Sequence, residues 1–288
     1  MISIFITVLG HVAYGTTNVL WKNPRNELGT LPLIIIRSFV CMLIFGFAFI
    51  ILSAWGLIPY PTVSVMDIVG TLGICAVNYF GLFFFLKSMK HAPVSHTIGF
   101  GKIGLVIGIA VGYFVYGEEI SLLKVLMAIV VLIGVSMIEF SSQKRATVIS
   151  KGLLYAILCK IFWGTAYLYV PFINKLGPIL FCAILEFTVC TMSIILFLWK
   201  PTKIRVAEIS SRTKYEVGLL ILLGTVGTFC LNFALANISI IMFAVIGLIE
   251  PIIGLVISKV YHKEKLSRIQ QIGIAAGVTA AFVLSATK

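Results

Sequence analysis

Long runs of apolar residues, each close to the length of a membrane-spanning helix, alternate along the chain with short polar breaks. A helix that crosses the hydrocarbon core needs about 20 residues. In the first half, the pattern predicts helices at Ile2–Leu20, Leu33–Trp55, Val65–Leu86, Val94–Tyr116 and Leu122–Phe140. In the second half, it predicts helices at Gly152–Val170, Ile179–Trp199, Val217–Ala236, Ser239–Val260 and Ile269–Ser285. The predicted fold class is an all-α integral membrane protein with ten transmembrane helices.

The order of helix breakers and loop residues in the first half recurs in the second, at an offset of about 148 residues. The corresponding segments are Tyr14-Gly15-Thr16 with Trp163-Gly164-Thr165, Leu28-Gly29 with Leu176-Gly177, Val40-Cys41 with Val189-Cys190, and Gly117–Ser121 with Lys263–Ser267. Because each repeat has an odd number of helices, the second must enter the membrane with the opposite orientation. The pattern predicts two inverted five-helix repeats, over residues 1–140 and 152–288, joined by a linker loop at 141–151.

Composition argues against a soluble protein, because 60% of the residues are hydrophobic and 11% are charged, whereas soluble domains carry about 25% charged residues. Ten membrane helices use up the 288 residues and leave no room for a soluble domain. The net charge of +12 resides mainly in loops that face an anionic leaflet, so we do not expect nucleic acid binding. The expected partners are a small-molecule substrate and membrane lipid, with the protein a monomer or a homodimer.

Lysine and arginine are distributed unevenly between the two sets of loops. Sixteen of the 22 fall after helices one, three, five, seven and nine, and only Lys124, Lys175 and Lys288 occupy the other side. Cytoplasmic loops carry an excess of these residues. The distribution therefore predicts that the odd-numbered loops are cytoplasmic and both termini are outside, in a multi-pass protein of the plasma (inner) membrane.

Residues 85–138, which begin FLKSMKHAPVSHTIGFGK, resemble the repeat signature of the EamA-like ten-helix transporters in the drug/metabolite transporter superfamily. Residues 233–284, which begin FALANISIIMFAVIGLIEP, are similar to that signature again and include the Glu250-Pro251 pair often seen in this helix. The resemblance covers essentially the whole chain and implies the ten-helix fold and secondary transport. One departure is Lys102, near where the family often has a segment containing glutamate and proline.

Several ionisable side chains lie within the predicted helices, where each charge costs about 2.5–3.5 kcal/mol at the helix centre. They are His11, Arg37, His96, Lys102, Lys160, Glu186 and Glu250. The repeat relates His11 to Lys160 and Arg37 to Glu186. It also places Lys102 within about one turn of the position that matches Glu250. Because equivalent helices meet at the axis between two repeats, we expect these residues to converge on one polar cavity.

In the predicted site, Lys102 and Lys160 hold a carboxylate or phosphate, while Glu250 carries a proton or pairs with Lys102 in the empty state. Pro251 should weaken the helical ladder just past Glu250 and free backbone carbonyls for ligand or water. Further polar candidates, as plausible in packing as in binding, are Asn18, Asn78, Tyr79, His96, Tyr167 and Asn232. These features favour alternating-access transport of an amino acid or a related zwitterion or anion, driven by a proton or ion gradient.

Other interpretations of the charged residues and of the fold stay open. Arg37 and Glu186 could form structural contacts or snorkel to the interface, and Lys102 could simply neutralise Glu250. A lipid-carrier flippase or a multidrug exporter could use the same fold. An enzyme is disfavoured, because no specific nucleophile and base can be assembled from the sequence.

Residues 99–104 match the dinucleotide-binding pattern G-x-G-x-x-G, but they lie within a predicted membrane helix rather than after a strand. That context favours close helix packing through small residues instead. The packing residues would be Gly101, Gly104, Gly108 and Gly112. The spacing of the six cysteines and four histidines predicts no disulfide, metal site or cofactor.

Overall fold

In the computed structural model, the described residues are 2–91, 101–120, 151–199, 201, 209–262 and the isolated positions 122, 125–126, 129–130, 133, 268–269, 271–273, 276 and 279. For residues 101, 102, 259 and 262, only the backbone is described. Every regular element in this part of the chain is helical, as the sequence predicts.

The first half contains five described helices. They are α1 (Ile2–Leu20), α2 (Lys22–Leu28), α3 (Thr30–Ala54), α4 (Val65–His91) and α5 (Gly101–Phe114). The short helix α2 ends at Gly29, whose φ of 85° lies in the left-handed region that favours glycine. At the start of α4, Ser64 and Asp67 cap each other's backbone N–H groups at 3.0 and 3.2 Å, which fixes the entry to the helix.

The described part of the second half contains six α-helices and one 3₁₀ segment. They are α6 (Lys151–Gly164), the 3₁₀ segment Thr165–Tyr169, α7 (Val170–Leu176), α8 (Pro178–Trp199), α9 (Ser211–Asn237), α10 (Ile240–Ile246) and α11 (Ile249–His262). Gly177 ends α7 with a φ of 75°, as Gly29 ends α2. Ser210 caps α9, because its hydroxyl accepts a hydrogen bond from the Thr213 N–H.

Seven helices in the described part of the chain are long and apolar enough to cross a membrane, with Lys151–Leu176 and Ile240–Ser258 each counted as one span. The apolar part of α5, Ile103–Phe114, is shorter. The predicted spans Leu122–Phe140 and Ile269–Ser285 lie mostly outside the described residues. The membrane-spanning helical character is therefore established, while the count of ten helices and the inverted orientation of the halves stay predictions.

The helix predicted over Ser239–Val260 is broken into α10 and α11, and the break differs from the one that the sequence suggested. We expected Pro251 to weaken the ladder just past Glu250, whereas the turn lies before it, at Gly247 and Leu248. Proline lacks the N–H that would bond to the carbonyl four residues earlier, and its ring clashes with that carbonyl. For Pro251 this carbonyl belongs to Gly247, which instead accepts from the Glu250 N–H at 3.1 Å. The proline thus places Glu250 in the first turn of a new helix.

The two halves pack through their long helices. The most extensive contact joins α3 with α8, and α1 packs against α9 and α11 while α4 packs against α6. On the α5–α10 contact, Gly108 faces Ala244, and a Cβ atom added at Gly112 would lie 2.7 Å from Ile241. These close approaches are what small residues permit in helix packing. The arrangement leaves a cavity between α1, the α6 region, α9 and the α10–α11 break.

Candidate functional site

The central cavity has a volume of about 190 Å³ and lies where side chains from both halves meet. The first half contributes residues of α1, α4 and α5, and the second half contributes residues from α6 to α11. Its lining is mainly apolar and aromatic, with a few polar and charged side chains. The polar and charged residues in the lining are His11, Tyr14, Asn78, Lys160, Trp163, Tyr167, Tyr169, Thr228, Asn232 and Glu250.

Glu250 is held by two side chains of α1 that lie two turns apart. The His11 Nδ1 atom is 3.3 Å from Glu250 Oε2, and the Asn18 amide Nδ2 donates to Glu250 Oε1 at 2.8 Å. Both α1 residues are buried, and the Glu250 side chain is 16% exposed. Each carboxylate oxygen of Glu250 therefore has a partner from α1, which ties α11 to α1 across the break.

Lys160 is the buried cation of the cavity, with 8% of its surface exposed. Its Nζ atom lies 4.9 Å from the centroid of the Trp163 ring, within the range of a cation–π interaction. Among the described residues, no carboxylate lies within ion-pair distance of this ammonium. Glu250 lines the same cavity and interacts with Lys160 electrostatically from farther away. The ammonium is thus available to an anionic group that enters the cavity.

A second, smaller cavity of about 80 Å³ adjoins the central one, and Tyr14 and Asn78 line both. Its main polar feature is the buried ion pair in which Arg37 Nη1 donates to Glu186 Oε2 at 2.6 Å. Thr228 joins this pair, because its hydroxyl accepts from Arg37 Nη2 at 3.2 Å and lies 2.8 Å from the Tyr14 hydroxyl. The network links the ion pair to the wall of the central cavity.

Arg37 and Glu186 accordingly form a structural contact, and Arg37 does not snorkel. Arg37 is 6% exposed, and Glu186 is 1% exposed. A snorkelling arginine keeps its charged end in water or among headgroups, whereas this guanidinium lies inside the bundle. The geometry thus shows a direct contact and not snorkelling, while a role of the pair in binding a substrate or ion stays a prediction.

The remaining polar candidates occupy different environments. Asn232 and Tyr167 line the central cavity, but the Asn232 amide also donates to the carbonyl of Thr228 in its own helix at 2.8 Å. Asn78 lines both cavities and donates to the carbonyl of Phe162 at 3.3 Å. Tyr79 lines only the smaller cavity of the two and accepts from the Ser193 hydroxyl at 3.2 Å. Asn232 and Tyr167 thus line the central cavity and Tyr79 lines the smaller one, and a binding role for each of them stays a prediction.

The structure does not describe the side chains of two of the predicted site residues. His96 lies outside the described residues, and for Lys102 only the backbone, at the start of α5, is described. The proposed pair between Lys102 and Glu250 thus stays a prediction. The partners that the structure gives to Glu250 are His11 and Asn18.

Most of the aromatic residues that line the central cavity were not predicted from the sequence. Tyr14 and Trp163 occupy corresponding positions in the repeated aromatic-Gly-Thr segments, and both line the central cavity. Phe243 lines the cavity as well, with its ring 5.1 Å from that of His11. The correspondence between Tyr14 and Trp163 was visible in the repeat and could have marked them as site residues.

A further buried charge, Glu216, also escaped the sequence analysis because it lies near the start of its helix. Its side chain is fully buried and accepts hydrogen bonds from Asn23 at 2.9 Å, from Arg212 at 2.8 Å and from the Tyr261 hydroxyl. These contacts join α2, α9 and the end of α11 away from the central cavity. We assign this cluster to helix packing at one end of the bundle.

Comparisons with known proteins agree with this geometry. The chain is 30% identical over 112 residues to an uncharacterized transporter of Archaeoglobus fulgidus, a match that covers 39% of each chain. It is 22% identical over 173 residues to the uncharacterized transporter YxxF of Bacillus subtilis, covering 59% of this chain and 54% of the other. The matches thus span about half or less of these relatives' own lengths. One solved crystal structure shares the fold, with a TM-score of 0.76 and 16% identity over 97% of this chain and 98% of the other.

The family comparison covers nearly the whole sequence. Residues 1–140 and residues 150–286 each match the EamA-like transporter family. The resemblance seen in the sequence is therefore confirmed, and the family and the relatives' names point to a transporter rather than an enzyme. The chain is a multi-pass integral membrane protein that belongs to the EamA-like transporter family of the drug/metabolite transporter superfamily.

Proposed function

We propose that this transporter moves a small metabolite with a carboxylate or phosphate group, such as an amino acid or a related zwitterion or anion. The observation that carries the proposal is the position of Lys160, a buried ammonium with no carboxylate at ion-pair distance among the described residues. A buried charge is costly unless it is paired. An anionic group of the substrate would provide that pairing, and a substrate ammonium would face Glu250 across the same cavity.

The size of the cavity favours a small solute over a lipid or a large drug. A cavity of about 150 Å³ holds a molecule the size of benzene, and the central cavity has about 190 Å³. A solute only somewhat larger than benzene therefore fits in this conformation. The lipid-carrier flippase and the multidrug exporter stay as competing functions, and a substrate screen distinguishes them from a metabolite transporter.

The proposed mechanism is alternating access by rocking of the two halves around the cavity. The recurrence of a seven-residue helix that ends at a glycine with positive φ, at Gly29 and at Gly177, supports an internal repeat. In transporters built from inverted repeats, the site lies at the repeat interface near the middle of the membrane, often beside a broken helix. The α10–α11 break next to Glu250 has this character. We further propose that an ion or proton gradient drives transport across the plasma (inner) membrane.

The test is uptake and counterflow of a mixed metabolite panel in proteoliposomes, with and without a pH gradient. The panel contains amino acids, small carboxylates and small phosphate esters, and a parallel assay follows a fluorescent lipid. Wild-type protein is compared with Lys160→Ala and with Lys151→Ala, which removes an exposed lysine from the start of the same helix.

We expect saturable flux of an anionic or zwitterionic solute in wild type and in Lys151→Ala, and loss of that flux in Lys160→Ala. Equal flux in Lys160→Ala and wild type would remove Lys160 from the site. Flux of the lipid alone would replace this proposal with the flippase.

A further inference from the structure

We propose that His11 Nε2 is the atom of this transporter that binds the coupling proton, and that Glu250 is a positioning residue that orients the His11 ring. The proposal deepens the proposed function and rests on it for the coupled substrate. It assigns the proton to the histidine, whereas the sequence alone suggested that the glutamate carries it.

Both carboxylate oxygens of Glu250 already have a partner. Oε1 accepts from Asn18, and Oε2 lies 3.3 Å from His11 Nδ1. An ionised carboxylate only accepts hydrogen bonds. In the proposed state Glu250 is ionised, so that Nδ1 carries the hydrogen, and in the neutral ring this leaves Nε2 with a lone pair.

The Nε2 atom of His11, in contrast, is buried without a hydrogen-bond partner among the described residues. His11 is 4% exposed. A buried polar atom without a partner is unusual, because leaving such an atom unsatisfied is costly. The ring lines the central cavity and lies close to Gly247, where a Cβ atom would be 3.2 Å from His11 Cε1. A proton can occupy this lone pair, and the resulting N–H then needs an acceptor, which an anionic group of the substrate would provide.

Two charged side chains lie in the same cavity as the His11 ring. Among the described residues, the charged side chains in the cavity are Glu250 on α11 and Lys160 on α6. The other titratable groups in the lining are the phenols of Tyr14, Tyr167 and Tyr169. The described cavity residues of α4, α5, α8, α9 and α10 carry no charge, and the side chain of Lys102 on α5 is not described.

With His11 neutral, the charges of Lys160 and Glu250 cancel, whereas a protonated His11 gives this set a net positive charge. Protonation should thus strengthen the binding of an anionic group, and by linkage the anion should strengthen proton binding by the same factor. His11 and Lys160, which correspond in the repeat, would hold the proton and the anion side by side.

A first experiment tests the proton site without any transported substrate. In detergent-solubilised full-length protein labelled with ¹⁵N-histidine, NMR reports the tautomer and titration of each of the four histidines. The His11 signals are assigned by their absence in His11→Gln. We expect a neutral ring with hydrogen on Nδ1 and a titrating Nε2, and a shift toward the Nε2–H tautomer in Glu250→Gln. Hydrogen on Nε2 in wild type, or a tautomer unchanged in Glu250→Gln, would overturn the positioning role.

A second experiment tests the linkage to an anion, with sodium acetate as the probe. Acetate should raise the pH at which His11 is half-protonated, and Lys160→Ala should abolish this effect. We expect a coupling at the low end of the usual range, which means that acetate changes the proton dissociation constant ~5-fold. His91, an exposed histidine at the end of α4, provides an internal control whose titration should not respond.

The outcomes separate the two proposals. Suppose that acetate does not change the pH at which His11 is half-protonated, but that Lys160-dependent flux persists. This result would overturn the coupling and leave the proposed function standing. A His11 midpoint that responds to acetate, in a protein that transports only lipid, would uphold the proton site and overturn the metabolite function.

Discussion

Arg37 and Glu186 lie 149 residues apart in the chain and form a buried ion pair, with 2.6 Å between Nη1 and Oε2. They occupy corresponding positions of the two halves, on α3 and α8, which make the most extensive helix contact in the described structure. The pair therefore joins the two halves at a point where one substitution leaves an uncompensated charge inside the bundle.

Removing one member of this pair should destabilise the protein more than replacing both. Breaking a buried pair typically costs about 3–5 kcal/mol, whereas apolar residues in place of both charges are often tolerated. We expect Arg37→Met and Glu186→Leu each to unfold at a clearly lower temperature than the double variant. Thermal unfolding in detergent, arranged as a double-mutant cycle, measures the coupling. Additive losses from the two substitutions would show that the charges act independently.

Gly81→Ala should disturb the wall of the central cavity. A Cβ atom at Gly81 would overlap the indole of Trp163, which lines both cavities. Overpacking costs about 1–3 kcal/mol, and moving Trp163 should lower the uptake rate. The control in the same helix is Gly73→Ala, since nothing lies within 4 Å of a Cβ atom there. An unchanged uptake rate in Gly81→Ala would mean that the wall tolerates displacement of Trp163.

Pro251→Ala should restore the hydrogen bond that the α10–α11 break lacks. The new N–H can donate to the carbonyl of Gly247, which would draw the two helices into one and move Glu250 away from His11 and Asn18. We expect slower uptake at unchanged expression. Pro178→Ala is the control, because Pro178 is the first residue of α8, where a missing N–H costs nothing. Equal losses in both variants would point to a general effect of removing proline.

Ser210 should support a pH-dependent contact between α2 and α9. Its backbone N–H and hydroxyl donate to the Glu27 carboxylate at 3.0 and 2.9 Å, and these bonds hold the pKa of Glu27 below its ordinary value of 4.5. Stability from a lowered pKa is present above the unfolded-state value and is lost as pH falls through the folded-state value. Wild type should therefore be more stable than Glu27→Gln at neutral pH, and this difference in stability should disappear on acidification to below pH 4.5.

Ser210→Ala should cost stability at every pH, because it also removes the cap of α9, an effect of about 0.5–2 kcal/mol. Thermal unfolding of the three proteins across this pH range measures both effects. If the unfolding temperatures of wild type and Glu27→Gln differed by the same amount at all pH values, this would contradict the contact to the carboxylate.

The predicted orientation can be tested with two cysteines at matched positions. Asn26 on α2 and Asn174 on α7 are both exposed, whereas the six native cysteines are buried. If the odd-numbered loops are cytoplasmic, a membrane-impermeant maleimide should label Asn174→Cys in intact cells and label Asn26→Cys only after permeabilisation. The reverse pattern would invert the orientation.

The sequence determined the membrane-spanning helical character, the family and the candidates for buried charge. These follow from local properties, because the length of an apolar run decides whether a helix can cross a bilayer, and a charge within such a run is costly wherever the run packs. The positions of His11, Lys160 and Glu250 in their helices were thus visible before any contact was known.

The partners of those charges were decided only by the tertiary structure. The sequence indicated that Glu250 needs a partner, but it did not indicate the observed hydrogen bonds to His11 and Asn18, more than 230 residues earlier in the chain. The Arg37–Glu186 pair likewise depends on how α3 lies against α8. A hydrogen bond requires a separation of about 3 Å, and small changes in the rotation of a helix move a side chain by more than that. The sequence therefore specifies which groups need a partner, and the packing of the helices selects it.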